Sequence, residues 1–71
     1  MIPKVDWKKL TDDLKEDCYV ATIAKSCDLT IGMVQAYGQG VTPPHYRGEN
    51  LIDFWRRTTG KPLSEVPRMA P

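Results

Sequence analysis

Residues that carry covalent or metal chemistry are scarce in this 71-residue chain. It has two cysteines, Cys18 and Cys27, and a single histidine, His45. The cysteines lie about two and a half helical turns apart, so within one helix their thiols point to different faces. A disulfide between them is therefore not expected, and a zinc site needs more ligands than the chain offers. We expect two reduced cysteines, and neither a metal nor another cofactor.

Signals of an enzyme or of a membrane protein are also missing. The chain has no glycine-rich phosphate loop and no evident pairing of a nucleophile with a base. Its apolar runs fall short of the roughly 18 residues of a membrane helix, and its first residues lack an apolar signal region. We therefore expect a cytoplasmic protein that is not an enzyme, with neither a membrane nor a small-molecule substrate as partner. Its small size also suggests no room for ligand sensing.

Charge of one sign is not in excess, because ten basic and nine acidic side chains leave a net charge of +1. Affinity for nucleic acid comes largely from phosphate neutralisation, so a near-neutral chain must concentrate its positive charge. The acidic side chains gather near the end of the first predicted helix, at Asp12, Asp13, Glu16 and Asp17. A monomer with this balance would bind a polyanion weakly. The balance therefore favours a homodimer, which doubles the contacts.

Apolar spacing predicts an all-α fold, a compact bundle of about five short helices forming one domain over residues 1–71. Asp6 is the expected N-cap of a first helix that ends near Asp17. Pro43-Pro44 falls in a predicted loop over residues 41–48, and a fourth helix is expected over residues 49–59 with Gly60 as its C-cap. A fifth helix is expected to carry Leu63 and Val66. Residues 1–5 and 68–71 are expected to be a flexible leader and tail.

The most informative segment is YVATIAKSCDLTIGMVQAYGQG, residues 19–40. It predicts one helix from Tyr19 to about Cys27, a tight turn at Asp28-Leu29, and a second helix from about Thr30 to Tyr37. The side chains expected to meet inside this corner are Ile23, Ala24, Leu29 and Val34. A helix pair of this kind can place its second helix in the major groove of DNA, which admits one α-helix.

The corner resembles the helix-turn-helix of the phage Cro and repressor family, also called the XRE type. That family shows an apolar residue and Ala, then Gly, an apolar residue and Ser or Thr at the turn, then Val or Ile, and a closing Gly. The corresponding residues here are Ile23-Ala24, Asp28-Leu29-Thr30, Val34 and Gly40. Residues 51–67, LIDFWRRTTGKPLSEVP, are similar to the family's closing segment. The resemblance thus covers about residues 10–66.

Two departures from the family pattern affect the expected contacts. Asp28 stands where the family usually has Gly, and Asp tolerates the left-handed conformation better than most residues but less well than Gly. Val20 stands where the family often has Gln, and its side chain cannot bond a phosphate.

The helical net predicts which side chains of the second corner helix face DNA. Thr30, which caps the helix, Ile31, Gly32, Gln35, Ala36 and Gln39 point outward, whereas Val34 and Tyr37 point inward. Gln35 is the strongest candidate, because its amide can bond adenine N6 and N7 together. Ile31 either presses on a thymine methyl or packs partly in the core, and Gly32 either allows close approach of the backbone or is simply tolerated. Met33 lies between core and groove. Expected phosphate contacts come from Lys25, Thr42, His45, Tyr46 and Arg47.

The resemblance implies a sequence-specific DNA-binding transcriptional regulator, Cro-like and of phage or prophage origin. Such a protein would act by occupying a pseudo-palindromic operator on double-stranded DNA as a homodimer. Leu63, Val66 and Met69 are the apolar residues expected at the dimer surface. The alternative is a protein-interaction module on the same scaffold without DNA binding, which the low net charge and Val20 favour.

Overall fold

A computed structural model describes residues 4–69 and shows four α-helices followed by a single 3-10 turn. The described residues form no strand, and the prediction of an all-helical fold is confirmed. The predicted number of about five helices is wrong, because residues 4–69 contain only four α-helices. The helices are α1 (Trp7–Asp17), α2 (Val20–Ser26), α3 (Ile31–Tyr37) and α4 (His45–Thr59), and the 3-10 turn is Leu63–Glu65.

Side-chain and glycine caps set three helix ends where the sequence predicts them, namely the starts of α1 and α3 and the end of α4. The Asp6 carboxylate accepts a hydrogen bond from the Lys9 backbone N–H (3.2 Å), and the Thr30 hydroxyl accepts one from the Met33 N–H (3.1 Å). These bonds satisfy N–H groups that have no partner within the first turn of a helix. At the end of α4, Gly60 adopts a left-handed conformation (φ 72°), which glycine takes without steric cost.

The core joins the inner faces of all four helices. Leu10 and Leu14 of α1 and Leu51 and Trp55 of α4 are fully buried, and Trp55 is the largest of the fully buried side chains. The same core contains Ile23, Ala24, Val34 and Tyr37, as predicted. Leu29, Val20 and Trp7 are half-buried at its edge.

A polar contact joins α1 to α4 inside this packing. The indole N–H of Trp55 donates to the Asp13 carboxylate at 3.4 Å. Asp13 is one of the acidic residues that gather near the end of the first predicted helix, but its side chain is half-buried and accepts the hydrogen bond of a buried donor. Without this partner the indole N–H would lose its hydrogen bond, a loss that costs about 1–3 kcal/mol for a buried group.

α4 begins four residues earlier than predicted, at His45 rather than Glu49. Pro44 acts as its N-cap with an extended backbone (ψ 156°), and its carbonyl accepts the first helical hydrogen bond from Gly48 at 2.8 Å. Gly48 suggested a loop from sequence, but it is buried within the helix. A Cβ atom at Gly48 would lie 2.9 Å from Cη2 of Trp7, so the missing side chain is what lets the indole lie against α4.

The predicted fifth helix is only a 3-10 turn, because prolines bound it on both sides. Pro62 precedes the turn, and Pro67 disfavours the α conformation at Val66, which is extended (φ −55°, ψ 131°). Val66 is 3% exposed and belongs to the core. It is therefore not available for the dimer surface predicted from sequence, whereas Leu63 (49%) and Met69 (54%) are exposed.

Backbone hydrogen bonds join the two ends of the described chain. Asp6 N–H donates to the Pro67 carbonyl at 2.9 Å, and Met69 N–H donates to the Lys4 carbonyl at 2.8 Å. Val5 and Arg68 form an isolated antiparallel bridge between these two bonds. The leader and tail expected to be flexible thus have fixed partners at residues 4–5 and 68–69, while residues 1–3 and 70–71 lie outside the described residues.

Among the helices within residues 4–69, none combines the length and the hydropathy that a bilayer span requires.

The contact between Trp7 and Gly48 generates a stability prediction. Gly48→Ala gains about 1 kcal/mol of helix propensity. It also forces a methyl group into the indole, and overpacking of this kind costs about 1–3 kcal/mol. We expect the free energy of unfolding, measured by urea denaturation, to fall by about 1 kcal/mol.

Gly32→Ala is the matched control, because Gly32 is also helical but exposed, and a Cβ there would meet only the Thr30 hydroxyl at 3.9 Å. This variant should gain up to about 1 kcal/mol from helix propensity. Equal stabilisation by both substitutions would show that the Trp7 contact does not restrict position 48.

Candidate nucleic-acid interface

α2 and α3 are joined by a tight turn whose geometry depends on one residue in the left-handed region. Asp28 has φ 57°, the one positive φ at a non-glycine position among the described residues. Asp is among the few residue types that adopt this conformation at modest cost. The following Leu29 N–H donates to the Ala24 carbonyl at 2.8 Å. Ala24 is buried where the two helices meet, as the spacing predicted.

The outer face of α3 is exposed and uncharged. Val34 and Tyr37 are buried in the core, and the helical period therefore turns Gln35 outward, whereas Ile31, three residues before Val34, lies at the edge of the buried face. Ile31 is 49% exposed, so its side chain is only partly buried. Of the other predicted residues, Thr30, Gly32 and Gln39 are exposed and Ala36 is half-buried.

Carboxylates are absent from a long segment around this face. Between Asp28 and Glu49 the sequence contains no Asp or Glu, and the side chains there that can carry a positive charge are His45 and Arg47. A phosphate backbone passing along α3 would therefore meet no negative side chain from α3 itself or from the connection to α4. This feature is unusual in a chain whose acidic and basic residues are nearly equal in number.

Of the residues predicted to contact phosphate, Arg47 is the one whose side chain contacts α3 within the described part of the chain. Its Nη1 lies 3.1 Å from the Met33 sulfur, and its Nε donates to the Tyr46 hydroxyl at 2.9 Å. The guanidinium carbon lies 5.4 Å from the centre of the Tyr46 ring. These contacts fix a cation at the edge of the outer face of α3. Arginine has five N–H donors, so most of them stay available to a ligand.

Arg47 does not stabilise α4 through the helix dipole. It lies in the first turn of that helix, where the macrodipole disfavours a positive charge. Tyr46 beside it is 60% exposed although it is large and partly apolar. A partner that carries negative charge would stabilise both groups at this place.

For the other residues predicted to contact phosphate, no hydrogen bond or ion pair with α3 is present among the described residues. Lys25 is exposed at the end of α2 and forms no ion pair there. His45 Nε2 lies 3.0 Å from Glu49 Oε1 on the exposed surface of α4. Thr42 and His45 line a groove beside Trp7. A phosphate near His45 would have to approach the Glu49 carboxylate as well, which weakens the prediction for this residue.

Cys27 lies at the corner but its thiol is not suited to chemistry. The sulfur is buried and lies 4.0 Å from the Asn50 carbonyl oxygen. Burial raises the pKa of the Cys27 thiol to about 11; Arg57 opposes this shift and Asp53 adds to it. Both Cys18 and Cys27 are free thiols. Within residues 4–69, no group of three His, Cys, Asp or Glu side chains is arranged to hold a metal ion.

Sequence reasoning missed the contact between Arg47 and Met33. The sequence predicts Arg47 in a loop and Met33 at a position between the core and the DNA groove. No local pattern signals this contact, because the two residues lie on different helices, 14 positions apart. Only the early start of α4 at His45 brings the arginine to α3.

Comparisons with models of protein families, with curated proteins and with solved structures return no match for this chain.

The buried thiol generates a prediction about reactivity. At pH 8.5, iodoacetamide should modify Cys18, which is half-buried, before Cys27, because the thiolate is the nucleophile and burial suppresses it at Cys27. The raised pKa of Cys27 also predicts how the stability of the protein changes at alkaline pH. Stability from the protonated thiol is complete below pH 9.0, the ordinary value, and is lost as the pH rises toward about 11.

Peptide mass spectrometry after timed labelling measures the order of reaction, with the protein in urea as the control in which both thiols react. Faster labelling of Cys27 than of Cys18 in the folded protein would contradict the burial of this side chain.

Proposed function

We propose that this protein is a sequence-specific regulator that binds double-stranded DNA by inserting α3 into the major groove. α2 and α3 then act as a helix-turn-helix, with Asp28 at the turn and Thr30 as the cap of the reading helix. The observation that carries the proposal is the exposed, uncharged outer face of α3 with Arg47 held at its edge. The resemblance to the phage Cro and repressor family supports a Cro-like protein of phage or prophage origin that acts in the cytoplasm.

Base reading is assigned to the middle of the exposed face. The Gln35 amide bonds adenine N6 and N7, and Ile31 contacts a thymine methyl group. A Cβ at Gly32 would meet only the Thr30 hydroxyl at 3.9 Å, so the α3 backbone can approach the groove closely at this point. Ala36 and Gln39 extend the same face toward the end of the helix.

Phosphate contacts position the helix and provide most of the affinity. Arg47 is the leading contact, because its guanidinium is already oriented by Met33 and Tyr46. Lys25 contributes a second cation, and Thr30, Thr42 and Tyr46 contribute hydrogen bonds. His45 is the weakest of the proposed contacts, because it lies 3.0 Å from the Glu49 carboxylate. With about two cations on phosphates, one copy should show a slope of roughly −2 in log K against log salt concentration. This small slope explains why two copies are needed for tight binding at physiological salt.

The second candidate function is a protein-interaction module that uses the same face. The exposed apolar side chains of Ile31, Val41 and Tyr46 favour this alternative, because an uncharged surface with apolar groups suits a protein partner. Selection of bound duplexes from a random pool separates the two functions. Enrichment of a defined sequence supports the regulator, and a pool that stays random supports the interaction module.

Gln35→Ala tests the reading of bases by α3. We expect this variant to weaken binding to the selected duplex by about 1–3 kcal/mol, while binding to random DNA stays nearly unchanged. Asn50→Ala is the matched control, because it removes an exposed side-chain amide from α4 rather than from α3. Fluorescence anisotropy with the two duplexes measures both affinities. Equal losses on the selected and the random duplex would count against base reading by Gln35.

Binding as a homodimer is the second testable part of the proposal. Two copies would read half-sites that are about one helical turn, roughly 34 Å, apart on a pseudo-palindromic duplex. Leu63 and Met69 remain as exposed apolar residues for the dimer surface. Sedimentation with and without the selected duplex should show two copies on one palindromic site. A protein that stays monomeric and binds a single half-site with one-to-one stoichiometry would contradict the dimer.

A further inference from the structure

The last two turns of α1 present three exposed carboxylates, which we call the acidic patch: Asp12, Glu16 and Asp17. None of them forms a hydrogen bond or an ion pair through its side chain among the described residues. Lys15, the one cation in these turns, lies against the end of α3, because a Cβ atom at Gly38 would be 3.2 Å from its Nζ. The negative charge of the acidic patch is therefore not paired within the described part of the chain.

The end of α4 carries three exposed cations, which we call the basic patch: Arg56, Arg57 and Lys61. They line one cleft together with a single carboxylate, Asp53, so the cleft has a net charge of +2. Asp53 is paired with Arg57 at 2.9 Å, whereas Arg56 and Lys61 have no ion pair within residues 4–69. The dipole of α4 favours cations at this end, so the basic patch alone would not indicate a partner.

The two patches lie at the same end of the α1–α4 pair. Trp7 at the start of α1 lies against Gly48 near the start of α4, and Trp55 further along α4 donates to Asp13 further along α1. The two helices therefore run in the same direction, and their last turns are neighbours. No ion pair joins the two patches in the part of the chain that the structure describes. Opposite charges thus lie side by side at this end, and both remain available to a partner.

A surface with an acidic half and a basic half is complementary to a second copy of itself. In a two-fold dimer each contact occurs twice, because residue i of one copy meets residue j of the other and the reverse. Rotation about an axis that runs between the two patches lays the acidic patch of each copy on the basic patch of the other. Rotation about the perpendicular axis in the same plane would bring like charges together. The charges therefore select one orientation of the two copies.

We propose that the acidic and basic patches form the interface of a homodimer in which a second copy of this chain is the partner. A guanidinium can donate two parallel hydrogen bonds to one carboxylate, which suits Arg56 and Arg57 to the acidic patch of the other copy. Tyr19, two residues after Asp17, is 85% exposed and offers a ring on which a guanidinium can stack. Exposed ion pairs are individually weak, so the free protein should dimerise with a Kd on the order of 100 μM.

This interface gives a surface to the homodimer of the proposed function, but it does not rest on DNA binding. The outer face of α3 adjoins the start of α4, where Arg47 contacts Met33, and the patches lie at the other end of α4. Dimerisation through the patches therefore leaves the outer face of α3 free.

The test measures the oligomeric state of the full chain by sedimentation equilibrium in the absence of DNA. Between about 10 mM and about 1 M NaCl the Debye length falls from about 30 Å to about 3 Å. We expect the dimer to form at the lower salt concentration and its Kd to rise by about tenfold or more at the higher one.

Two variants with reversed charges identify the surfaces that meet. The acidic-patch variant combines Glu16→Lys with Asp17→Lys, and the basic-patch variant combines Arg56→Glu with Lys61→Glu. All four residues are exposed and outside the ion pairs of the described chain, so both variants should fold. Each variant alone should be monomeric at low salt, because like charges then face each other twice. An equal mixture of the two should form a heterodimer at least about tenfold tighter than either variant alone, because opposite charges again meet on both sides.

Lys8→Glu with Lys9→Glu is the matched control. It changes the net charge by the same amount as the basic-patch variant, but at exposed positions near the start of α1. This control should dimerise as the parent protein does at about 0.1 M salt, where charges more than about 10 Å apart are screened.

Three results would overturn the proposal. The first is a parent protein that stays monomeric at low salt and a concentration of about 1 mM, ten times the expected Kd. The second is a dimer that persists in about 1 M salt and in both reversed variants, which would place the interface at exposed apolar residues such as Leu63 and Met69. The third is a mixture of the two variants that stays monomeric although circular dichroism shows both to be folded. Since DNA is absent from every sample, a failure of DNA binding would not affect these outcomes.

Discussion

The burial of Val34 and Tyr37 is the constraint on which the candidate interface depends. Each side chain contributes about 1.5–3 kcal/mol when it is removed from water, so α3 cannot rotate without losing a large part of the stability of a small domain. The helical period then fixes Gln35 on the outside and places Ile31 at the edge of the buried face. Thr30 fixes the first turn of the same helix. The exposure of the outer face of α3 is thus a consequence of core packing.

A second constraint acts between α1 and α4 and determines what lies beside that face. Gly48 lets the Trp7 indole rest on α4, and the hydrogen bond from Trp55 to Asp13 holds the two helices together further along. This packing places the start of α4 next to α3, where Arg47 reaches Met33. One pair of helix contacts therefore accounts for the cation at the edge of α3 and for the groove beside Trp7.

Local signals in the sequence were enough to predict α1, α2, α3 and their inner faces. Thr30 and Asp6 cap helices through their own neighbours, and the spacing of Ile23, Ala24 and Val34 needs no information from distant residues. The start of α4 was missed because Gly48 resembles a loop residue until Trp7, 41 positions earlier in the chain, is known to lie against it. Similarly, the contact between Arg47 and Met33 and the groove beside Trp7 arise between elements, so no single segment predicts them.

The proposed contact between the outer face of α3 and DNA is tested most directly by chemical-shift mapping. Protein labelled with nitrogen-15 is titrated with a short duplex, and the shift of each backbone N–H is followed. We expect the largest shifts at residues 30–39 and at Arg47, whereas Trp7, Ile52 and the middle of α1 stay unchanged. Shifts centred on Trp7 and Ile52 or on α1, or no shifts at residues 30–39 with a duplex that binds, would contradict the proposed contact.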